Sequence, residues 1–111
     1  MGYVHAEIKL KNPRLPKLKI INVKAMVDTG VLTLCIPEHI ALQLKLEINN
    51  QREVTTADGR KQMVPYVGPI EVLFENRNCF VGALVLGDEV LLGVVPMEDM
   101  DLIVSPGHRK L

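Results

Sequence analysis

Ala25-Met26-Val27 runs directly into Asp28-Thr29-Gly30, and Val31-Leu32-Thr33-Leu34-Cys35-Ile36 follows. An acid between two apolar β-like runs demands a reason, because a lone buried carboxylate is costly unless it is paired or shifts its pKa. Gly30 permits a sharp turn just after the acid, and the Thr29 hydroxyl can lock that turn. Such a design presents Asp28 at a fixed point beside apolar surface, ready for proton chemistry. Hydrolysis of an amide by carboxylates takes two of them, one ionised to activate water and one protonated to donate to the carbonyl. Asp28 is the only aspartate in such a triplet, whereas Asp58, Asp88, Asp99 and Asp101 stand in polar or turn contexts. One chain thus carries half of such a centre. A two-fold dimer completes it, since an isologous contact sets a residue beside its own copy, and two carboxylates that close titrate as a coupled pair. The plainer alternative is an acid that only hydrogen-bonds the amides of its own turn.

The elements that must position Asp28 follow from hydrophobic periodicity. Residues 3–10 alternate, with Val4, Ala6, Ile8 and Leu10 on one face and Tyr3, His5, Glu7 and Lys9 on the other, which predicts a half-buried strand. Asn12-Pro13-Arg14-Leu15-Pro16 breaks it. A second strand from about Leu18, with Ile21, Val23, Ala25 and Val27 in register, delivers Asp28. A third follows Gly30, with Leu32, Leu34 and Ile36 on one face. Pro37 to Leu44 predicts a short helix whose Ile40 and Leu44 share a side. Arg52 to Thr56 and Arg60 to Val64 flank Ala57-Asp58-Gly59, an Asp-Gly step that signals a hairpin, polar enough to project from the body. Ile70, Val72 and Phe74 alternate with Glu71 and Glu75, a turn is expected at Asn76-Arg77-Asn78, and apolar Cys79 to Leu86 predicts a central strand. After Gly87-Asp88-Glu89, Val90 to Val95 reads as a strand, Pro96 to Met100 as a single helical turn, and Asp101 to Val104 as a last short strand. Residues 105–111 read as a frayed tail. Many short strands with one clear helix predict a mostly β barrel, a single domain over 1–111.

Composition narrows the function classes. Thirteen basic and thirteen acidic residues cancel, so no net-charge footprint for nucleic acid or an anionic membrane is expected, and nothing repels a second copy. Cys35 and Cys79 lie in apolar segments and read as reduced, buried thiols rather than a disulfide framework. His5, His39 and His108 lack ligand spacing, so neither a metal nor another cofactor is implied. No signal-peptide pattern and no membrane-length apolar run is visible, which sets a cytoplasmic expectation.

A second apolar strand ending at glycine, Val90-Leu91-Leu92-Gly93-Val94, matches the Asp28 segment across the chain, with the polar hairpin between them. That order, from about Val23 to Val104, resembles the retropepsin-like aspartic proteases, and more narrowly their small prokaryotic clan AA members. The resemblance implies a catalytic role for Asp28 and a grip across the dimer axis from Thr29, within an active-site loop that includes Gly30 and Val31. It implies a flap with its tip at Thr56, Ala57, Asp58, Gly59 and Arg60, and a ψ-shaped support at Leu91, Leu92 and Gly93. It also implies a homodimeric endopeptidase whose peptide or protein substrate lies extended in the cleft. Three features depart from the pattern. Val31 stands where alanine or serine is usual, the flap tip carries a charge and one glycine, and Met97-Glu98-Asp99-Met100 is an acidic version of the following helix. Val31 motivates the alternative of a peptide-binding or dimerisation module that keeps the fold with little or no catalysis.

Overall fold

The computed structural model of the chain describes residues 4–56 and 58–103. The elements are β1 (Val4–Lys11), β2 (Ile21–Val27), β3 (Leu34–Ile36), α1 (Glu38–Gln43), β4 (Ile48–Thr55), β5 (Lys61–Phe74), β6 (Arg77–Val85), β7 (Leu91–Leu92) and α2 (Val94–Asp99). Strands order as β1-β2-β7-β3-β6-β5-β4, and a further β1–β5 pairing closes the first six into a barrel, leaving β4 outside on β5. The mostly β barrel expected from the pattern is the fold found.

Period-two patterning does what it should in β1, where Ala6, Ile8 and Leu10 are buried and His5, Glu7 and Lys9 are exposed. β1 pairs antiparallel with β2, Val4 opposite Val27 and Leu10 opposite Ile21. The inward residues join Leu34, Ile36, Val67, Ile70, Val72 and Leu92 in a continuous core. Helix α1 forms where expected. Pro37 is its extended N-cap, whose carbonyl accepts from the Ile40 and Ala41 amides at 3.1 and 3.3 Å, and Ile40 and Leu44 face the core. Asn12, the one buried polar residue among those described, donates through Nδ2 to the carbonyls of Leu44 (2.9 Å) and Lys45 (3.4 Å). Its Oδ1 accepts from the Arg14 amide at 2.9 Å. This side chain stitches the β1–β2 loop to the end of α1.

Several boundaries differ from the sequence expectation, each for a topological reason. β2 and β3 are consecutive but not adjacent, because β7 lies between them, parallel to β2 and antiparallel to β3. The chain after Gly30 must cross the end of β7, so Leu32 lies outside any strand, 72% exposed, and β3 begins only at Leu34. Beyond Leu92 the sheet has no further partner to offer; Val94 and Val95 therefore open α2 instead of extending a strand. Among the described residues there are thus two short helices where one clear helix was expected. β2 starts at Ile21 rather than near Leu18. The turn before β6 is Glu75-Asn76, with Arg77 and Asn78 already paired opposite Phe74 and Leu73. Asp101 to Ile103 form no strand, since Arg77 Nη1 instead caps the end of α2 through the carbonyls of Met100 (2.8 Å) and Asp101. Tyr3, Val104, His108 and the expected tail at 105–111 lie outside the described residues. Among the described residues no helix is long and apolar enough to cross a membrane.

Candidate active site

Asp28 is the first residue past β2 and is half-buried. The inserted strand β7 and the first residues of α2 pin its loop from both sides. The Asp28 amide donates to the Leu92 carbonyl at 3.0 Å, and the amides of Val94 and Val95 donate to the carbonyls of Val31 (2.9 Å) and Leu32 (2.8 Å). Gly93 is where the two backbones meet. A Cβ there would lie 2.2 Å from the Thr33 carbonyl oxygen and 2.5 Å from that of Val31, a clash no side-chain adjustment relieves. The Thr33 hydroxyl donates to the Gly82 carbonyl at 3.1 Å and ties the far end of the loop to β6.

Within the loop, the Gly30 amide donates to Asp28 Oδ1 at 2.9 Å and the Val31 amide to the Asp28 carbonyl at 3.1 Å. The lock on the turn is therefore the carboxylate itself, not the Thr29 hydroxyl, which is exposed. A Cβ on Gly30 would stand 3.2 Å from Oδ1, so glycine keeps the carboxylate uncrowded. Beneath it, Cys35 has its thiol pushed up by burial and, secondarily, by the Asp28 charge. Burial, followed by Asp99 and Glu71, pushes Cys79 up to about 11. Both cysteines are free and buried, as expected.

The hairpin expected around Asp58-Gly59 is formed by β4 and β5, paired from Ile48–Val67 to Thr55–Lys61. It is longer than the sequence suggested and mostly exposed on β4. Its tip is held by its own residues. The Thr56 amide donates to the Arg60 carbonyl (2.8 Å), and the Gly59 amide to the Thr56 carbonyl (2.9 Å). Asp58 Oδ1 accepts from the Thr56 hydroxyl and from the Arg60 amide at 3.1 Å. Those bonds, the hydroxyl first, hold the Asp58 carboxyl below its ordinary value. Arg60 Nε lies 3.4 Å from Oδ2. Ala57 lies outside the described residues.

The structure thus joins Asp28 to Leu92 and sets Val31 against Gly93, with Gly30 bonded to Asp28 and Leu91 paired opposite Cys35. The hairpin faces that loop with Arg52, Glu53, Val54 and Tyr66 of its two arms. A groove of about 320 Å³ runs between them, lined by Leu32, Thr33, Arg52, Tyr66, Leu84 and Val95 among others. The Arg52 guanidinium lies 3.7 Å from the Tyr66 ring centroid, close enough for cation–π attraction. A Cβ on Gly82 would sit 2.2 Å from the phenol end of that ring, so the missing side chain makes room for Tyr66. On the other side, Thr29 borders a second groove of about 260 Å³ with Val94, Met97, Glu98, Leu102 and Ile103.

Sequence reasoning placed Arg52 at the start of the hairpin but gave it no groove role, and it passed over Tyr66, Gly82 and Thr33 as site residues. Two signals pointed to them: a glycine inside an otherwise apolar strand marks a close approach, and a hydroxyl within Val31–Ile36 needs a buried partner. Chemically, the arrangement offers one rigidly held, partly solvated carboxylate between two grooves, one roofed by a hairpin.

No family model and no curated protein matches this sequence. Among solved structures, the chain is similar to the simian foamy virus protease, with a TM-score of 0.52 and 20% identity over 87% of this chain and 92% of that one. It is also similar to a Legionella pneumophila protein of unknown function, with a TM-score of 0.51 and 13% identity over 96% and 95% of the two chains. At these identities the likeness establishes the fold, which is retropepsin-like.

Proposed function

We propose that the protein is a homodimeric aspartic endopeptidase in which Asp28 and its symmetry copy share one proton and activate a water against a peptide bond. The observation that carries this reading is the pinned Asp28 turn: its carboxylate accepts from the Gly30 amide and its backbone amide donates to the Leu92 carbonyl, and the acids lining the two neighbouring grooves are glutamates, Glu53 and Glu98, not a second aspartate. One ionised and one protonated carboxyl are needed to activate water and polarise the carbonyl. In this reading the second comes from another copy, since Asp28 stands in the only Asp-Thr-Gly triplet of the sequence. Apolar side chains around the turn suit that contact, since Leu32, Val95 and Ile103 are 72%, 43% and 79% exposed, and apolar surface of this kind marks association sites. The exposed Thr29 hydroxyl is free to bond its counterpart across the axis. The fold shared with a viral protease supports the same reading.

The substrate is an extended polypeptide. It lies beneath the β4–β5 hairpin, with Thr56 to Arg60 closing over it and a side chain seated in the Leu32–Tyr66 groove. Asp28→Asn keeps the carboxylate's shape but not its proton chemistry. The expected outcome is a folded dimer by sedimentation velocity whose cleavage of an unfolded protein falls at least about a thousandfold. Unchanged cleavage in the variant would remove Asp28 from the mechanism.

A second reading is carried by Val31, a half-buried β-branched residue three positions past the acid, where a larger side chain narrows the space for water. In that reading the dimer binds peptide with little catalysis. Val31→Ala separates the two: a change within about tenfold favours the peptidase, and cleavage that appears only in the variant favours the binding module.

A further inference from the structure

Although the charges cancel overall, they are unevenly spread. Between Ile8 and Val27 stand Lys9, Lys11, Arg14, Lys17, Lys19 and Lys24, with no acid among them. These residues belong to β1, β2 and the loop joining them. The loop is a built structure. The Leu15 amide donates to the Asn12 carbonyl at 3.1 Å and the Leu18 amide to that of Leu15 at 3.0 Å, while the buried Asn12 side chain fastens it to the end of α1. That tie brings Lys45 against the loop, and together they enclose a groove of about 330 Å³. Leu15, Pro16 and Leu18 wall it, and Arg14, Lys17 and Lys45 rim it. Arg14 is matched by Glu47 at 3.2 Å. Lys17 and Lys45 make no ion pair among the described residues.

We propose that this groove docks an acidic segment of another polypeptide, one that carries an apolar side chain between carboxylates. The apolar walls take the side chain and the two uncompensated lysines meet the charges on either side, a complementarity that sets specificity and encounter rate. A bilayer calls for apolar side chains standing clear of the surface, whereas Leu15, Pro16 and Leu18 line a concavity. A nucleic-acid strand calls for aromatic faces, and none lines this groove. The groove lies at the start of β2 and Asp28 at its end, a strand length of roughly 20 Å, so a docked segment leaves the cleft open. The inference stands whether or not Asp28 hydrolyses peptides.

The test is fluorescence anisotropy of a labelled peptide with one leucine flanked by aspartates and glutamates, titrated with the Asp28→Asn protein so that nothing is cleaved. Binding is expected to saturate, to weaken as salt rises, and to fall about tenfold when Lys17→Glu and Lys45→Glu are combined. Lys24→Glu, on the outward face of β2, is expected to leave it unchanged, and replacing the leucine by serine to weaken it. Three results would overturn the proposal: no saturable binding, an equal loss from Lys24→Glu, or tighter association with phosphatidylserine vesicles or a single-stranded oligonucleotide than with the peptide.

Discussion

The Asp28 loop and the tip of the β4–β5 hairpin are both short turns after a strand, both carry an aspartate followed within two residues by a glycine, and they are held in opposite ways. The Asp28 loop is clamped by backbone bonds to β7 and the start of α2, more than sixty residues later in the chain, with no room for a Cβ at Gly93. The hairpin tip is closed by its own Thr56, Asp58 and Arg60, all in contact with solvent or nearly so. Local stability follows the density of buried, externally satisfied bonds. One turn is therefore fixed by the fold and the other by its own residues, a contrast that suits the rigid acid and movable cover of the proposed peptidase.

Gly93→Ala attacks the clamp and should have the largest effect. Its Cβ meets two backbone oxygens, so the loop or β7 must shift, at a cost of about 3 kcal/mol. Denaturant unfolding should show that loss, and a midpoint within error of the parent would mean the clamp is soft. Gly82→Ala strikes between the two regions. There the obstacle is the end of a flexible side chain, and the strand gains from alanine, leaving a net loss of about 1 kcal/mol. The Tyr66 ring must swing away from β6, which should alter preference for the substrate side chain in the groove more than overall turnover. An unchanged cleavage pattern across a peptide library would separate that groove from recognition. The smallest effect belongs to the tip. Because the folded Asp58 carboxyl sits below its ordinary value of 3.8, its bonds are complete above that pH and are lost as pH falls through the lower folded value. Protection of the Gly59 and Arg60 amides, relative to their intrinsic exchange at each pH, should fall on acidification below pH 3.8, while amides of the Asp28 loop stay protected. Equal loss of protection in both turns would erase the contrast.

Much of this was legible in the residues. The alternation in β1, the Asp-Gly hairpin, the proline-led helix and the apolar strand before Asp28 appear at their expected places, since each rests on short-range periodicity or turn chemistry. Leu32 misled because an apolar residue in an apolar run looks like strand, and only the crossing over β7 takes it out. Val94 and Val95 misled the same way, their β-branched side chains overruled by a sheet that ends at Leu92. Asn12 carried no signal at all. Its partners are carbonyls 32 and 33 residues away.

By itself the sequence determined that Asp28 stands at the end of an apolar strand, that a polar hairpin separates it from a second such strand, and that the charges balance. Those are properties of residue order, readable wherever interactions span a few positions. Only the tertiary structure decided that β7 enters between β2 and β3 and clamps the acid's loop, that Tyr66 fills the space Gly82 leaves, and that Lys17 of the β1–β2 loop and Lys45 after α1 meet at one groove. Each of these depends on which distant segments pair, and pairing is settled by burial of the whole core at once rather than by any local pattern.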